Sequence, residues 1–187
     1  MTEDAKAGLR RRLRAARRAV GDAERAAAAA AVDAALARLG LPRPGSRIAA
    51  YRAMDGELDP LPVVRRALAL GCTVHFPVIE RFRAARMRFA RPEGAGFAPG
   101  DAARWLDLVL VPLVGFDTEG RRLGMGAGFY DRHFAFLRRR RVWHRPRLLG
   151  LAFELQRVPR LPADRHDVPL WGIVTEHGVY GRAGSAR

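Results

Sequence analysis

Apolar and polar positions repeat along this chain with two different periods, and the two alternate. Near the N-terminus Leu9, Leu13 and Ala16 or Val20 recur at helical spacing, so residues 2–20 are predicted to form an amphipathic helix, with Thr2 as N-cap and Glu3 and Asp4 in its first turn. Gly21-Asp22 breaks and recaps the chain, and the alanine-rich stretch 23–39 predicts a second helix ending at Gly40. After a Pro/Gly loop at 41–45, residues 47–53 (RIAAYRA) read as a short strand. Pro60 and Pro62 then open a helix to residue 70, with Asp59 as its N-cap. Strands are predicted at 73–78 (TVHFPV) and 86–90 (RMRFA). Leu108, Val109, Leu110 and Val111, bounded by Asp107 and Pro112, form an apolar, β-branched run that suits a buried central strand. A polar turn at 117–120 leads to a loop with glycine at 124, 126 and 128, and then to helical material at 129–137. A strand follows at 148–153, continued through 154–156, and a last short strand at 172–176, with a frayed tail beyond Tyr180. Strands alternating with helices imply one α/β domain over residues 1–187, with helices on both faces of the sheet. No internal repeat is present.

Composition narrows the class. An apolar fraction of 49% argues against disorder. No run approaches the roughly 18 apolar residues of a membrane helix, and no apolar segment precedes a cleavage site at the N-terminus, so neither a membrane partner nor a secretory signal is expected. Cys72 is the one cysteine, which rules out an intrachain disulfide and suggests a reducing, cytoplasmic setting. The net charge is +15, and Lys6 is the one lysine among 34 basic residues. Such a surface attracts polyanions and favours anionic substrates such as ATP. No recognition motif for nucleic acid stands out, so no dedicated nucleic-acid partner is expected.

The glycine-rich loop carries the clearest candidate chemistry. Glycines let successive N–H groups face one concavity and let a phosphate approach without a Cβ in the way. Arg122 sits just before the loop as a cation, and Asp131 just after it as a carboxylate able to hold Mg²⁺ beside phosphates. The loop is neither a Walker A nor a GxGxxG motif, and the plain alternative is a turn that packs a helix tightly onto a sheet. Lys6, Arg10 and Arg14 share one helix face, ordinarily a solvated one. Glu57 lies on the loop leaving the C-terminal end of a strand, where open α/β sheets bind ligands, although a lone loop glutamate is ordinarily solvated. His75 reads as a strand residue, since no metal-spaced partner accompanies it.

The stretch FDTEGRRLGMGAGFYDR resembles the signature of the 5-formyltetrahydrofolate cyclo-ligase family, roughly Phe-Asp-x-x-Gly-x-Arg-Leu-Gly-x-Gly-x-Gly-Tyr-Tyr-Asp-Arg. Phe129 replaces the first tyrosine of that pattern. The resemblance implies that Lys6 and Arg10 reach the ATP phosphates, together with Arg122 and the loop Leu123, Gly124, Met125, Gly126, Ala127, Gly128, Phe129 and Tyr130. Met54-Asp55-Gly56-Glu57-Leu58-Asp59 resembles the family's Gly-Glu-Val-Asp segment, which implies substrate binding by Glu57 and by Arg52. RMRFA resembles a Met-x-Phe segment, so Met87 is either a pocket residue or ordinary core. Trp105 is either a cover for the folate ring or a hydrophobic lid residue, while Phe129 and Tyr130 would pack against the folate. LPADRHDVPL matches the family's Leu-Pro-x-x-x-His-Asp-Val-Pro-Leu and implies that Asp167 joins Asp131 on Mg²⁺, with Trp171 replacing a second aspartate common there. Residues 91–105 are shorter than in the family, and no equivalent of its Ile-x-Glu-Pro-like motif can be placed.

Taken together, the resemblance implies a three-layer α/β/α, Rossmann-like fold with a largely parallel sheet. It also implies an enzyme, expected to act as a monomer, that converts 5-formyltetrahydrofolate to 5,10-methenyltetrahydrofolate with ATP and Mg²⁺, releasing ADP and phosphate. Two other readings follow from the same residues: a paralogue that binds ATP or folate without this reaction, and a basic polyanion- or RNA-binding protein.

Overall fold

The computed structural model describes residues 2–81, 86–91, 102–139, 145–162, 164 and 166–183. Helices α1 (Glu3–Arg18) and α2 (Asp22–Arg38) open the chain, followed by β1 (Arg47–Ala49), α3 (Leu61–Ala69), β2 (Thr73–Arg81) and β3 (Arg86–Ala90). A 3₁₀ turn at Ala102–Trp105 leads into β4 (Leu108–Pro112), then come β5 (Gly115–Phe116), β6 (Arg122–Leu123) and α4 (Phe129–His133). The chain ends with β7 (Arg147–Leu151), β8 (Gly172–Val174) and β9 (Val179–Tyr180). Seven strands form one sheet in the order β3-β2-β1-β4-β7-β8-β9. The five inner strands are parallel, and the two edge strands β3 and β9 run antiparallel to their neighbours. This is the three-layer α/β architecture expected from the alternation of elements.

Side-chain alternation on the inner strands builds both cores. Leu108, Leu110, Leu149 and Leu151 face α2 and α3, where Val32, Leu36, Val63 and Ala67 meet them. Val109, Val111, Leu148 and Ile173 face the other layer, which contains Phe134 of the α4 region and Phe89. A third, smaller cluster seats α1: Leu13, with Leu9 against it, packs on Val114, Leu123, Val158 and Leu161.

Several local expectations change. The predicted 129–137 helix is α4 alone, five residues long, followed by a 3₁₀ stretch at Ala135–Arg139. Fully buried Phe134 marks the junction, ringed by Phe89, Tyr130, His133 and Phe136, and its packing overrides a run of aromatics with modest helix propensity. Residues 154–156 do not extend β7 but form a 3₁₀ turn. The buried Gln156 side chain imposes it: Oε1 accepts from Phe153 N at 2.9 Å, and Nε2 donates to Leu113 O and Val114 O at 2.8 and 2.9 Å. Strand β1 stops at Ala49, short of the predicted 53. Residues 181–183 are not frayed, because Ala183 N donates to Trp171 O at 2.9 Å and Ala183 packs so closely on Gly172 that any Cβ there would clash. Of the segments singled out from the sequence, 92–101, Arg140, Arg141, Ala163 and Arg165 lie outside the described residues.

His75 sits in β2, buried, with Nδ1 3.2 Å from Ile48 O. Burial pulls its pKa below the usual 6.5. A depressed folded-state pKa means stability that is present above 6.5 and lost as the pH falls, because the unfolded chain takes up the proton first. Denaturant unfolding midpoints are therefore expected to drop as the pH is lowered below about 6.5, and His75→Gln is expected to flatten that slope. An equal slope in the variant would show that His75 does not drive it.

Candidate active site

The site lies beyond the C-terminal end of β4, where the chain leaves the sheet to make the β5–β6 hairpin. The hairpin delivers Arg122 and Leu123, and the glycine loop follows directly. Gly126 at φ +105° and Gly128 at φ +66° hold backbone conformations that other residues resist, and this gives the loop its course. Helix α1 crosses the loop from outside. Arg10 Nε donates to Gly124 O at 3.1 Å, and Arg10 Nη1 pairs with Glu3 Oε1 at 2.7 Å. Lys6 Nζ lies 3.9 Å from Glu3 Oε2. Arg122 is largely buried; it donates to Val168 O at 2.5 Å and forms an ion pair with Asp131 Oδ1, which also accepts from Val168 N at 3.0 Å.

These groups surround one cavity of about 700 Å³, lined by Lys6, Arg10, Arg122, Leu123, Gly124, Gly126, Gly128, Asp131 and Asp167. Of the residues named from the sequence for the phosphates, Met125 is exposed and Ala127, Phe129 and Tyr130 are half-buried, and none of these four lines it. Helix α4 is too short to contribute much of a dipole, so the cavity's positive potential comes from side chains. Among the lining residues that carry ionisable side chains, Glu3, Arg132, Arg138, Asp164 and His166 escaped the sequence reading as site residues. Asp164 accepts from His166 N at 2.9 Å; that bond, followed by smaller contributions that include the Lys6 charge, holds its carboxyl below the usual range.

Asp131 and Asp167 fit a magnesium ion by the chemistry of their donors. Both offer carboxylate oxygens to the same cavity, and Asp167 is held above the usual carboxylate range, chiefly because it is partly buried and also because Asp131 is near. A hard divalent cation would relieve that crowding. Among the described residues no group of three or more His, Cys, Asp or Glu side chains assembles, so remaining ligands would be phosphate oxygens and water.

Glu57 is not in that cavity. It is buried on the turn between β1 and α3, lining a smaller cavity with Met54, Asp55 and Asp59. Its Oε2 accepts from Met54 N at 3.2 Å, and burial raises its pKa. Tyr51 and Tyr130 lie within electrostatic reach, and both hydroxyls are pushed up by burial first and by the Glu57 charge second. Arg122 also acts on Tyr130, so that tyrosine lies within electrostatic reach of both sets of groups. Arg52 stands over the Phe76 ring at 5.2 Å, in a separate cavity of about 650 Å³. Met87 is buried in the core, Phe129 packs half-buried on the same cluster, and Trp105 is 67% exposed. Trp171 lies under the Arg147 guanidinium at 4.4 Å.

The sequence reading also missed Arg17 and Asp55. Arg17 extends the Lys6–Arg10 face at seven residues beyond Arg10, a helical repeat that was available as a signal.

The 5-formyltetrahydrofolate cyclo-ligase family model matches residues 2–176. Among curated relatives, the 5-formyltetrahydrofolate cyclo-ligase of Escherichia coli K12 is 30% identical over 150 residues, covering 71% of this chain and 79% of that protein. Its Haemophilus influenzae counterpart is 31% identical over 150 residues, covering 71% and 76%. The solved 5,10-methenyltetrahydrofolate synthetase of Mycoplasma pneumoniae superposes with a TM-score of 0.75 at 25% identity, covering 91% of this chain and 98% of that one. That of Aquifex aeolicus gives 0.70 at 26%, covering 94% and 92%. Among the described residues no helix is long and apolar enough to cross a membrane.

The cavity's cations are expected to bind pyrophosphate in a salt-sensitive manner. A hydrogen bond to a charged group contributes about 1.5–3 kcal/mol, so Arg10→Met is expected to weaken pyrophosphate binding by about tenfold or more in calorimetry. Unchanged affinity would remove Arg10 from the anion site.

Proposed function

The chain belongs to the 5-formyltetrahydrofolate cyclo-ligase family, and on that premise we propose that it closes 5-formyltetrahydrofolate to 5,10-methenyltetrahydrofolate with ATP, releasing ADP and phosphate. The observation that carries this reading is the convergence of α1, the glycine loop, α4 and the residues Asp164, His166 and Asp167 on one cavity, with cations facing it beside the carboxylates of Glu3, Asp131, Asp164 and Asp167.

The chemistry needs little from the protein beyond position and charge. The formyl oxygen attacks the γ-phosphorus, a new P–O bond forms, and the bond to the bridging oxygen breaks as ADP leaves. N10 then attacks the activated formyl carbon. The C–O bond to phosphate breaks, phosphate departs with its electron pair, and the N10 proton is lost. Lys6, Arg10 and Arg122, with N–H groups of the glycine loop, would stabilise charge on the transferring phosphoryl group. Asp131 and Asp167 would hold Mg²⁺, which when bound supplies positive charge beside the phosphate oxygens. Arg122 has a second task in this reading: its pairing with Asp131 keeps the carboxylate in place.

Glu57 would accept hydrogen bonds from the pterin, and Tyr130 would pack between the pterin and the phosphates. Arg52 and Phe129 would contact more distal parts of the substrate, with Trp105 as an exposed cover and Met87 supporting the pocket from the core. Action as a monomer is kept as part of the proposal, and the single cysteine supports a cytoplasmic setting.

The test is a spectrophotometric assay with purified protein, Mg²⁺, ATP and 5-formyltetrahydrofolate, following the near-ultraviolet band of the closed methenyl ring. An ATP-dependent rise is expected. Arg122→Ala and Asp131→Ala are each expected to lower turnover by about a hundredfold or more, with circular dichroism unchanged. No rise from a folded protein would overturn the reaction, and a folded, fully active variant would overturn the site.

A further inference from the structure

Arg17 is 1% exposed, and its guanidinium is always charged. A buried cation is tolerated only when its donors and its charge are met. Arg17 makes two of its three hydrogen bonds on the turn that carries Glu57. Its Nε donates to Asp55 O at 3.1 Å and its Nη2 to Asp55 Oδ2 at 3.0 Å, while Nη1 donates to Leu113 O at 3.2 Å. Arg14 Nε adds a bond to Asp55 Oδ2 at 2.7 Å, Arg18 pairs with the other carboxylate oxygen, and Arg25 Nη1 donates to Gly56 O at 2.5 Å.

The turn itself is unusual. Asp55 has φ +54°, a left-handed conformation for a residue with a Cβ, and Gly56 follows at φ +73°. Gly56 runs so close to α1 that a Cβ there would lie 3.1 Å from Arg17 O. Such a backbone persists only where its surroundings fix it. Next in the chain, Glu57 holds its own turn through Met54 N on Oε2. Its Oε1 stands 3.9 Å from Arg17 Nη1, close enough to feel the charge and too far for a hydrogen bond. Arg17 therefore gives its hydrogen bonds to Asp55 and Leu113 and leaves Glu57 Oε1 unclaimed by that guanidinium.

We propose that Arg17 is the positioning residue of the substrate subsite, clamping the 54–57 turn to α1 through Asp55 and presenting Glu57 to the folate without consuming its carboxylate. This rests on the reading of Glu57 as the pterin contact. Burial raises the Glu57 pKa, while the Met54 N–H, Arg17 and Arg14 oppose that rise and Asp55 adds to it. Tyr51 and Tyr130 face Glu57 from β1's exit and α4, and Asp59 acts on Tyr51 from the start of α3. Losing Arg17 thus leaves Glu57 harder to ionise, and losing the Asp55 charge leaves it easier.

Steady-state kinetics across pH decide the matter, with thermal melts to establish that each variant is folded. Arg17→Gln is expected to raise KM for 5-formyltetrahydrofolate about tenfold, leave KM for ATP within about twofold, and move the acid limb of kcat/KM upward by about one pH unit. Asp55→Asn is expected to raise the same KM but move the acid limb the other way. Simple loosening of the turn would shift both limbs alike and would overturn the proposal, as would an unchanged folate KM in either folded variant. If Arg17→Gln does not fold, Asp55→Asn decides alone by the same two readouts. Glu57→Gln separates the premise from the proposal. It is expected to raise the folate KM and flatten the acid limb; if it does neither, the pterin reading of Glu57 fails, whatever Arg17 does.

Discussion

The central strand has to end, and its last carbonyls have to go somewhere. After Pro112 the chain turns out of the sheet, leaving Leu113 O and Val114 O in a buried place where, among the described residues, no strand receives them. Buried acceptors without donors are costly. Here Gln156 Nε2 supplies both carbonyls, and Arg17 Nη1 adds a second bond to Leu113 O. That one requirement joins three remote pieces of chain: helix α1, the exit of β4 and the turn after β7. Everything at the site hangs from this junction. The hairpin that carries Arg122 begins at Gly115, where a Cβ would strike Leu13 of α1, and α1 lies flat enough to reach the glycine loop with Arg10.

The net charge of +15 takes on a different meaning in this light. Many of the arginines serve as staples to backbone carbonyls. Arg10 bonds Gly124 O, Arg25 bonds Val20 O and Gly56 O, Arg66 bonds Leu41 O, Arg122 bonds Val168 O and Arg132 bonds Ala127 O. A planar fork with five donors suits that work, whereas a lysine offers a mobile point charge. Arginine is thus part of the internal scaffold of this fold, and part of the charge is a by-product of how its loops are tied. Lys6 differs in kind: it lines the cavity and lies near the rim carboxylates of Glu3 and Asp164.

What could be read from the sequence follows the physics of pattern. Apolar runs such as 108–111 declare buried parallel strands, and the alanine-rich second helix declares itself by composition. The glycine loop was legible because its spacing restricts backbone, and the family likeness there was specific. Two-residue strands like β5 and β6 have no period to detect. The 154–156 turn depends on where a glutamine side chain finds carbonyls more than forty residues away, which no local window contains. Phe134 ends α4 for the same kind of reason, since its burial is decided by the sheet. Arg17 was hidden by abundance: in a helix with so many arginines, the buried one looks like its solvated neighbours.

Helix α1 serves both subsites from a single rigid rod. Lys6 and Arg17 are eleven residues apart, about three turns and ~16 Å along the axis, so they emerge on nearly the same side. Inserting or removing one residue between them would rotate one end by about 100° relative to the other. Either the phosphate-facing pair or the clamp on the Glu57 turn would then point away from its target. This segment is a measured spacer, and relatives that keep the same division of labour should tolerate substitutions along it far better than any change in its residue count.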